Sequence, residues 1–259
     1  MGEATDYEEL IAIALTDDRV LGLVLTGSRG RGPFARDDSD WDVRLVVRDD
    51  AWSEAAAAFA TDRGSRVETV VLSLTAFEQA AEIGAADEWD RYSYAYAQVV
   101  VDKLDGRIGE LVKGKGVLPA DEAAKRAELK LDEYINSYYR SVKNLAGGLA
   151  VASHLDAAES VASFLAALFA MYGRVRPFNK FLVWELREHP LGETAWAHGT
   201  LMPRLQKIIS TGDIAEQQQL FRDLERLARE HGLGEVIDRW EPDVPMLRRT
   251  PVRLLGGEC

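Results

Sequence analysis

The stretch that most constrains this chain is a short, unbroken apolar run over residues 20–25 (Val-Leu-Gly-Leu-Val-Leu), set directly before Thr26-Gly27-Ser28. A run of that length closed by a glycine turn is the pattern of a central strand covered on both faces. Such a strand needs neighbours beside it and layers above and below it, so the first part of the chain must build a covered sheet. Residues 40–47 read as a second strand, residues 66–74 as a β-branched third, and residues 98–101 as a fourth. Helical patterns lie between them at residues 7–15 and 51–60, while residues 92–101 begin with alternating tyrosines that suit either state.

After Gly114-Lys115-Gly116 the strand signal ends. Long helical patterns cover residues 123–145 and 151–172, with shorter ones near 181–187, 201–209 and 216–230. Helices joined by short connections pack most economically as a bundle. The expected class is therefore α+β: a mixed-sheet domain over residues 1–116, then an all-α helical bundle over residues 117–259. No internal repeat and no low-complexity tract interrupts this division.

The chemistry lies in the interval after the first strand. Thr26-Gly27-Ser28-Arg29-Gly30-Arg31-Gly32 is followed by Ser39-Asp40-Trp41-Asp42-Val43-Arg44-Leu45. Strand side chains alternate, so Trp41, Val43, Leu45 and Val47 share a core face while Asp40, Asp42 and Arg44 share the other. Two carboxylates about 7 Å apart along the backbone can converge on divalent metal, and without a cation they would repel. Gly27 permits close backbone approach, and turn amides with the Ser28 hydroxyl make a seat for phosphate oxygens. A short helix opening at Arg29 would add free N–H groups, with Arg29 and Arg31 adding charge. A lone Asp-X-Asp or a lone Gly-Ser means little; their sequence after a buried strand points to phosphoryl or nucleotidyl transfer.

These residues, Gly27-Ser28 through Asp40-Trp41-Asp42, resemble the signature of the DNA polymerase β-like nucleotidyltransferase superfamily. In layout the chain is most similar to the antibiotic nucleotidyltransferases of the streptomycin/spectinomycin, kanamycin and lincosamide kinds. The motif likeness covers about residues 19–75; the helical half is alike in architecture. The resemblance implies Mg²⁺ held by Asp40 and Asp42, a nucleoside triphosphate seated by Gly27, Ser28 and Arg29, and release of pyrophosphate. It also implies a third carboxylate on a later strand. Glu68 interrupts an otherwise apolar strand, where burial without a polar partner would be costly. Its setting resembles the glutamate-bearing strand of the streptomycin-type enzymes, where that carboxylate is the general base. Glu68 is therefore expected to take the acceptor proton or to help hold the metal, the plain alternative being an edge-strand acid facing water. Asp102 is the competing third acid, although its setting reads as a turn.

The helical half offers further polar features. Asn136, Arg140 and Lys143 share one helical face, either solvated or closing over nucleotide. Asp156 and Glu159 lie within the most apolar helix and suit a lining that draws an amine-bearing acceptor, or simply a polar stripe. Lys180 follows Pro177 at an expected helix start, where a cation opposes the dipole unless an anion such as the triphosphate is bound; Arg176 is a weaker candidate of the same kind. His189, His198 and His231 show no metal-ligand spacing. The tail, residues 240–259, is expected to wrap the bundle.

Composition narrows the partners. Thirty-one Lys and Arg against 43 Asp and Glu give a net charge of −12, which disfavours general nucleic-acid or anionic-membrane binding. The acidic balance suits a cationic partner, although acidity for solubility alone is the plainer reading of the charge. The resemblance implies ATP as donor and, in agreement with the charge, a cationic hydroxyl-bearing acceptor such as an aminoglycoside. The single cysteine, Cys259, excludes an internal disulfide, and residues 1–15 lack a secretory pattern. Residues 145–172 are broken by His154, Asp156 and Glu159 and are not read as a membrane span. A cytoplasmic enzyme is expected, with monomer and oligomer both open. The rival from another class is a nucleotidyltransferase-like antitoxin or regulator that binds or modifies a partner protein; a polymerase-type enzyme on RNA ends is disfavoured by the charge.

Overall fold

In the computed structural model, which describes residues 7–249, strand β1 (Val20–Leu25) takes an interior place in a four-stranded sheet. It pairs antiparallel with β2 (Trp41–Val47) on one side and with β4 (Gln98–Asp102) on the other. Strand β3 (Val67–Ser73) runs parallel to β2, completing the order β3-β2-β1-β4. A parallel pair needs a crossover, and α3 (Trp52–Phe59) supplies it.

The two faces explain why residues 20–25 are apolar throughout. Leu23 and Leu25 join Val43, Leu45, Val47, Val67 and Val71 under α1 (Tyr7–Thr16) and α3, with Leu10, Ala14 and Ala55 packed on them. On the opposite face, Val24 and Val46 lie in a second cluster with Phe77 of α4 (Leu74–Gln79), Tyr94 of α5 (Arg91–Tyr94), and Ile108 and Val112 of α6 (Arg107–Gly116). Residues 92–98 thus divide: the first tyrosines are helical and the strand begins at Gln98.

Among the described residues the chain parts into two compact units between Val117 and Leu118. The Gly114-Lys115-Gly116 stretch, read above as a break, is the last turn of α6. Lys115 is buried there, its Nζ donating to the carbonyls of Glu78 at 2.8 Å and Ala80 at 2.7 Å and to the Glu82 carboxylate at 3.1 Å. A buried ammonium with three acceptors ties α6 to the end of α4, so these residues close the sheet unit.

The second unit is helical, and the class is α+β. Helices α7 (Ala120–Ala146) and α8 (Ala150–Met171) form an antiparallel hairpin, as the contacts Arg140–Asp156, Ser141–Ser153 and Glu133–Ser163 show by their reversed order. Helices α9 (Leu182–Glu188), α10 (His198–Thr211), α11 (Ile214–Glu230), α12 (Gly234–Asp238) and α13 (Val244–Arg248) pack on it. Tyr134 and Tyr138 meet Phe164 and Phe221 in an aromatic core. The Asp213 side chain caps α11 by accepting from the Glu216 N–H at 2.9 Å. Helix α8 is long and apolar enough to cross a membrane by length and composition, and 56% of that window is buried inside the protein. The described part of the tail lies on the bundle: the Tyr138 hydroxyl donates to the Leu247 carbonyl at 2.8 Å. Residues 250–259, with Cys259, lie outside the described residues.

Candidate functional site

The site is built where β1 ends. The Thr26 N–H and hydroxyl both donate to the Asp42 carbonyl, at 2.8 and 3.1 Å, locking the end of β1 to the start of β2. The chain then turns at Gly27, whose φ of +63° is costly for any residue with a Cβ. A Cβ there would also fall 1.7 Å from Oδ2 of Asp42, so the carboxylate would have to move to admit it. The backbone after β1 therefore lies directly against the Asp42 carboxylate.

Parallel pairing of β2 and β3 places Asp42 opposite Glu68, and Asp40 stands one residue before β2 on the same alternation. One carboxylate oxygen from each of Asp40, Asp42 and Glu68 lies within 4.8 Å of the other two, the only such group of metal-ligating side chains among the described residues. All three residues are half-buried. Glu68 Oε2 accepts from the Gly64 N–H at 3.3 Å, and neither Asp40 nor Glu68 enters an ion pair among the described residues. Like charges gathered this closely repel, and the arrangement is relieved by a cation. Hard carboxylate oxygens are the donor set that magnesium, calcium and manganese prefer. Asp102, the rival third acid, sits near the other end of β1, opposite Gly22. Its oxygens accept from the N–H groups of Leu104 at 2.9 Å and Gly109 at 3.1 Å, a local turn and helix start.

The arginines around the cluster have other tasks. Arg29, expected to meet phosphate, directs Nε to the Ser39 carbonyl at 2.9 Å and Nη2 to the Asp37 carbonyl at 3.3 Å, with its guanidinium 4.1 Å over Trp41. Arg66, which the sequence did not single out, reaches the same two carbonyls, each at 2.9 Å. Together they fix the turn that delivers Asp40. Trp41 is held in addition by the Tyr7 ring, stacked at 3.8 Å. Arg31 is buried, donating to the carbonyls of Gly27 and Tyr92, the latter at 2.8 Å, and lying over the Tyr92 ring. Arg44, next on the carboxylate face of β2, pairs with Asp90 at 3.2 Å. Burial opposes its charge, but Asp90 and Tyr94 outweigh that and raise its pKa, while burial pushes the Tyr94 hydroxyl up.

The expected helix also differs. Helix α2 is a single turn, Gly27–Gly30, starting two residues earlier than the pattern suggested; a 3₁₀ turn, Gly32–Phe34, follows it. One turn carries little macrodipole, so any phosphate seat here rests on the Gly27-Ser28 backbone. Ser28 itself is 3% exposed.

In the helical unit, Asp156 and Glu159 do lie together, but their charges are already met. Arg140 Nη2 is 3.0 Å from oxygens of both, and Asn144 Nδ2 donates to Asp156 at 2.7 Å. The pair expected to draw a cationic acceptor joins α7 to α8 through these contacts. Asn136 and Lys143 are exposed, the latter 5.5 Å over Tyr139. Lys180 is exposed within a 3₁₀ turn, Asn179–Phe181, with Nζ 5.3 Å over the Phe181 ring; the anticipated helix start falls two residues later. The described histidines pack individually, His189 against Trp184 and His231 against Tyr172.

The chain matches no family model, and no curated protein is similar to it. Among solved structures it is similar to a nucleotidyltransferase-like protein from Exiguobacterium sibiricum 255-15, with 12% identity over 91% of this chain and 88% of that one and a TM-score of 0.40. A likeness at that level assigns neither fold nor activity to this chain.

Proposed function

We propose that the sheet unit is the catalytic half of a Mg²⁺-dependent nucleotidyltransferase. It would transfer AMP from ATP to a hydroxyl of a small cationic acceptor such as an aminoglycoside, releasing pyrophosphate in the cytoplasm. The observation that carries this reading is the convergence of Asp40, Asp42 and Glu68 to within 4.8 Å beside the Gly27 backbone. Three half-buried acids without an ion pair to either Asp40 or Glu68 are a costly arrangement for stability alone, and they fit a divalent cation. Bound Mg²⁺ would neutralise phosphate charge and align the attacking and leaving oxygens.

The remaining roles belong to the chain. Asp40 and Asp42 hold the ion, with Asp40 presented by the turn that Arg29 and Arg66 fix. Gly27 and Ser28 admit the triphosphate against their backbone, where a Cβ at Gly27 would collide with Asp42. Glu68 takes the proton of the acceptor hydroxyl as its oxygen bonds to the α-phosphorus and the bond to the departing pyrophosphate breaks. The net charge of −12 supports a cationic acceptor.

The test is pyrophosphate release from MgATP across aminoglycosides, lincosamides and protein extracts, beside calorimetry of MgATP binding. Turnover with one acceptor class, abolished by Asp42→Asn, is the expected result. Modification of a protein instead of a drug would move the assignment to a regulator. If no acceptor turns over and Asp42→Asn leaves MgATP binding unchanged, the reading fails.

A further inference from the structure

The helical unit contains a cleft of about 740 Å³, within the range of small-molecule sites. Its wall is mainly apolar, contributed by Val161 and Leu165 of α8, Leu182 of α9, and Met202, Leu205 and Ile209 of α10. One charged side chain lines it: Arg176, in the segment between α8 and α9.

Arg176 differs from three other arginines of the same unit. Arg140, Arg174 and Arg204 each face a carboxylate. Arg176 enters no ion pair among the described residues, and its one hydrogen bond runs from Nη2 to the neutral Asn179 side chain at 2.8 Å. Its Nε is buried without an acceptor, and burial lowers its pKa. A guanidinium keeps its proton at any physiological pH, so the cleft wall carries a partly desolvated positive charge with no anion to balance it. With 43 acidic residues in the chain, the lack of one here is a feature of the site. The first residues of α10, His198 and Gly199, line the same cleft, and α10 has no side-chain cap, so its dipole adds to the preference for an anion without carrying it.

We propose that this cleft binds an amphipathic monocarboxylate, its apolar body against the α8 and α10 side chains and its carboxylate on Arg176. A polyphosphate fits poorly, since it would bring several charges into an apolar wall with one cation. A neutral apolar molecule would leave the guanidinium uncompensated. A single anionic head on an apolar body satisfies both, and guanidinium–carboxylate pairing is strong in a partly dry setting.

The test uses calorimetry on the full chain with octanoate and with its neutral counterpart octanamide. Octanoate is expected to bind one to one and more tightly than octanamide. Arg176→Gln should weaken octanoate by about tenfold or more while leaving octanamide nearly unchanged. Met202→Trp, which fills the cleft, should block both ligands. Ligand-free melting of Arg176→Gln should be equal to or above wild type, because a buried charge without an ion partner has been removed. Octanamide binding as tightly as octanoate, or octanoate affinity surviving Arg176→Gln, overturns the proposal. Competitive displacement of octanoate by MgATP also overturns it, because Arg176 would then serve the nucleotide. None of these outcomes depends on whether Asp40, Asp42 and Glu68 hold metal.

Discussion

Acidic side chains cluster in both units of this molecule, and they are handled in opposite ways. In the helical unit several acids meet an arginine: Asp156 and Glu159 share Arg140, Glu225 takes Arg248 and Arg229, and buried Glu185 takes Arg174. In the sheet unit Asp40, Asp42 and Glu68 converge on one another, while Arg29 and Arg66 turn to the carbonyls of Asp37 and Ser39 and Arg44 turns to Asp90. The first arrangement is what stability favours. The second forgoes stability at one place, which is the pattern of a site awaiting a ligand.

The sharpest way to break this contrast is to neutralise one acid of each kind. On the proposed metal role, Asp42→Asn should lower pyrophosphate release by about 10²–10³-fold, the cost of losing one charge-stabilising group. Glu68→Gln should cost about 10²–10⁴-fold if it is the base. Without divalent metal, the same Glu68→Gln change should raise the melting temperature by relieving repulsion. A fall in metal-free melting temperature would place Glu68 among the merely structural acids.

Gly27→Ala tests how tightly the turn and the carboxylate are coupled. Left-handed backbone at a residue with a Cβ costs about 1–3 kcal/mol, and the Cβ would lie 1.7 Å from Oδ2 of Asp42. Loss of both stability and divalent-ion affinity, read by melting with and without Mg²⁺, is expected. Unchanged ion affinity would mean that the Asp42 carboxylate moves aside without consequence.

How much of this was legible follows the range of each interaction. The interior strand could be read because burial on both faces leaves no polar residue in 20–25. That Asp40 and Asp42 share a face follows from alternation alone. Their meeting with Glu68 depends on a parallel β2–β3 register, which chain-local pattern does not encode; the acid's interruption of an apolar strand and the family resemblance marked it. The carbonyl partners of Arg29, eight and ten residues away, were invisible in residue type. Asp156 and Glu159 looked unpaired within their own helix because their cation lies on the preceding one. The burial of Lys115 between two glycines was not legible because its acceptors are mostly carbonyls some 35 residues upstream.

Among the satisfied acids, Glu225 should show a clear, pH-dependent stability effect. Burial raises its pKa, but hydrogen bonds from Arg248 and Arg229 outweigh that and hold it below the ordinary 4.5. Its contribution is therefore present above that value and fades as pH falls through the depressed one. Glu225→Gln should cost about 1.5–3 kcal/mol at neutral pH, with the difference from wild type closing in urea melts taken at progressively lower pH. A gap that persists in acid would assign the effect to packing.

The smallest effect should come from Arg140, and it decides whether the helical acids are satisfied or only adjacent to a cation. Its side chain is 46% exposed and Glu159 is 65% exposed, so that pair is solvent-screened, while Asp156 at 15% is better shielded and keeps Asn144. Arg140→Gln should therefore cost less than about 1 kcal/mol, and the loss should shrink with added salt. It should also leave the proposed transfer reaction unchanged. If Arg140→Gln instead bound a cationic aminoglycoside more tightly than wild type, Arg140 would be guarding Asp156 and Glu159 for the acceptor. The two acid clusters would then differ in occupancy, one gathered for metal and the other held closed by a displaceable arginine, and the contrast between the units would be one of degree.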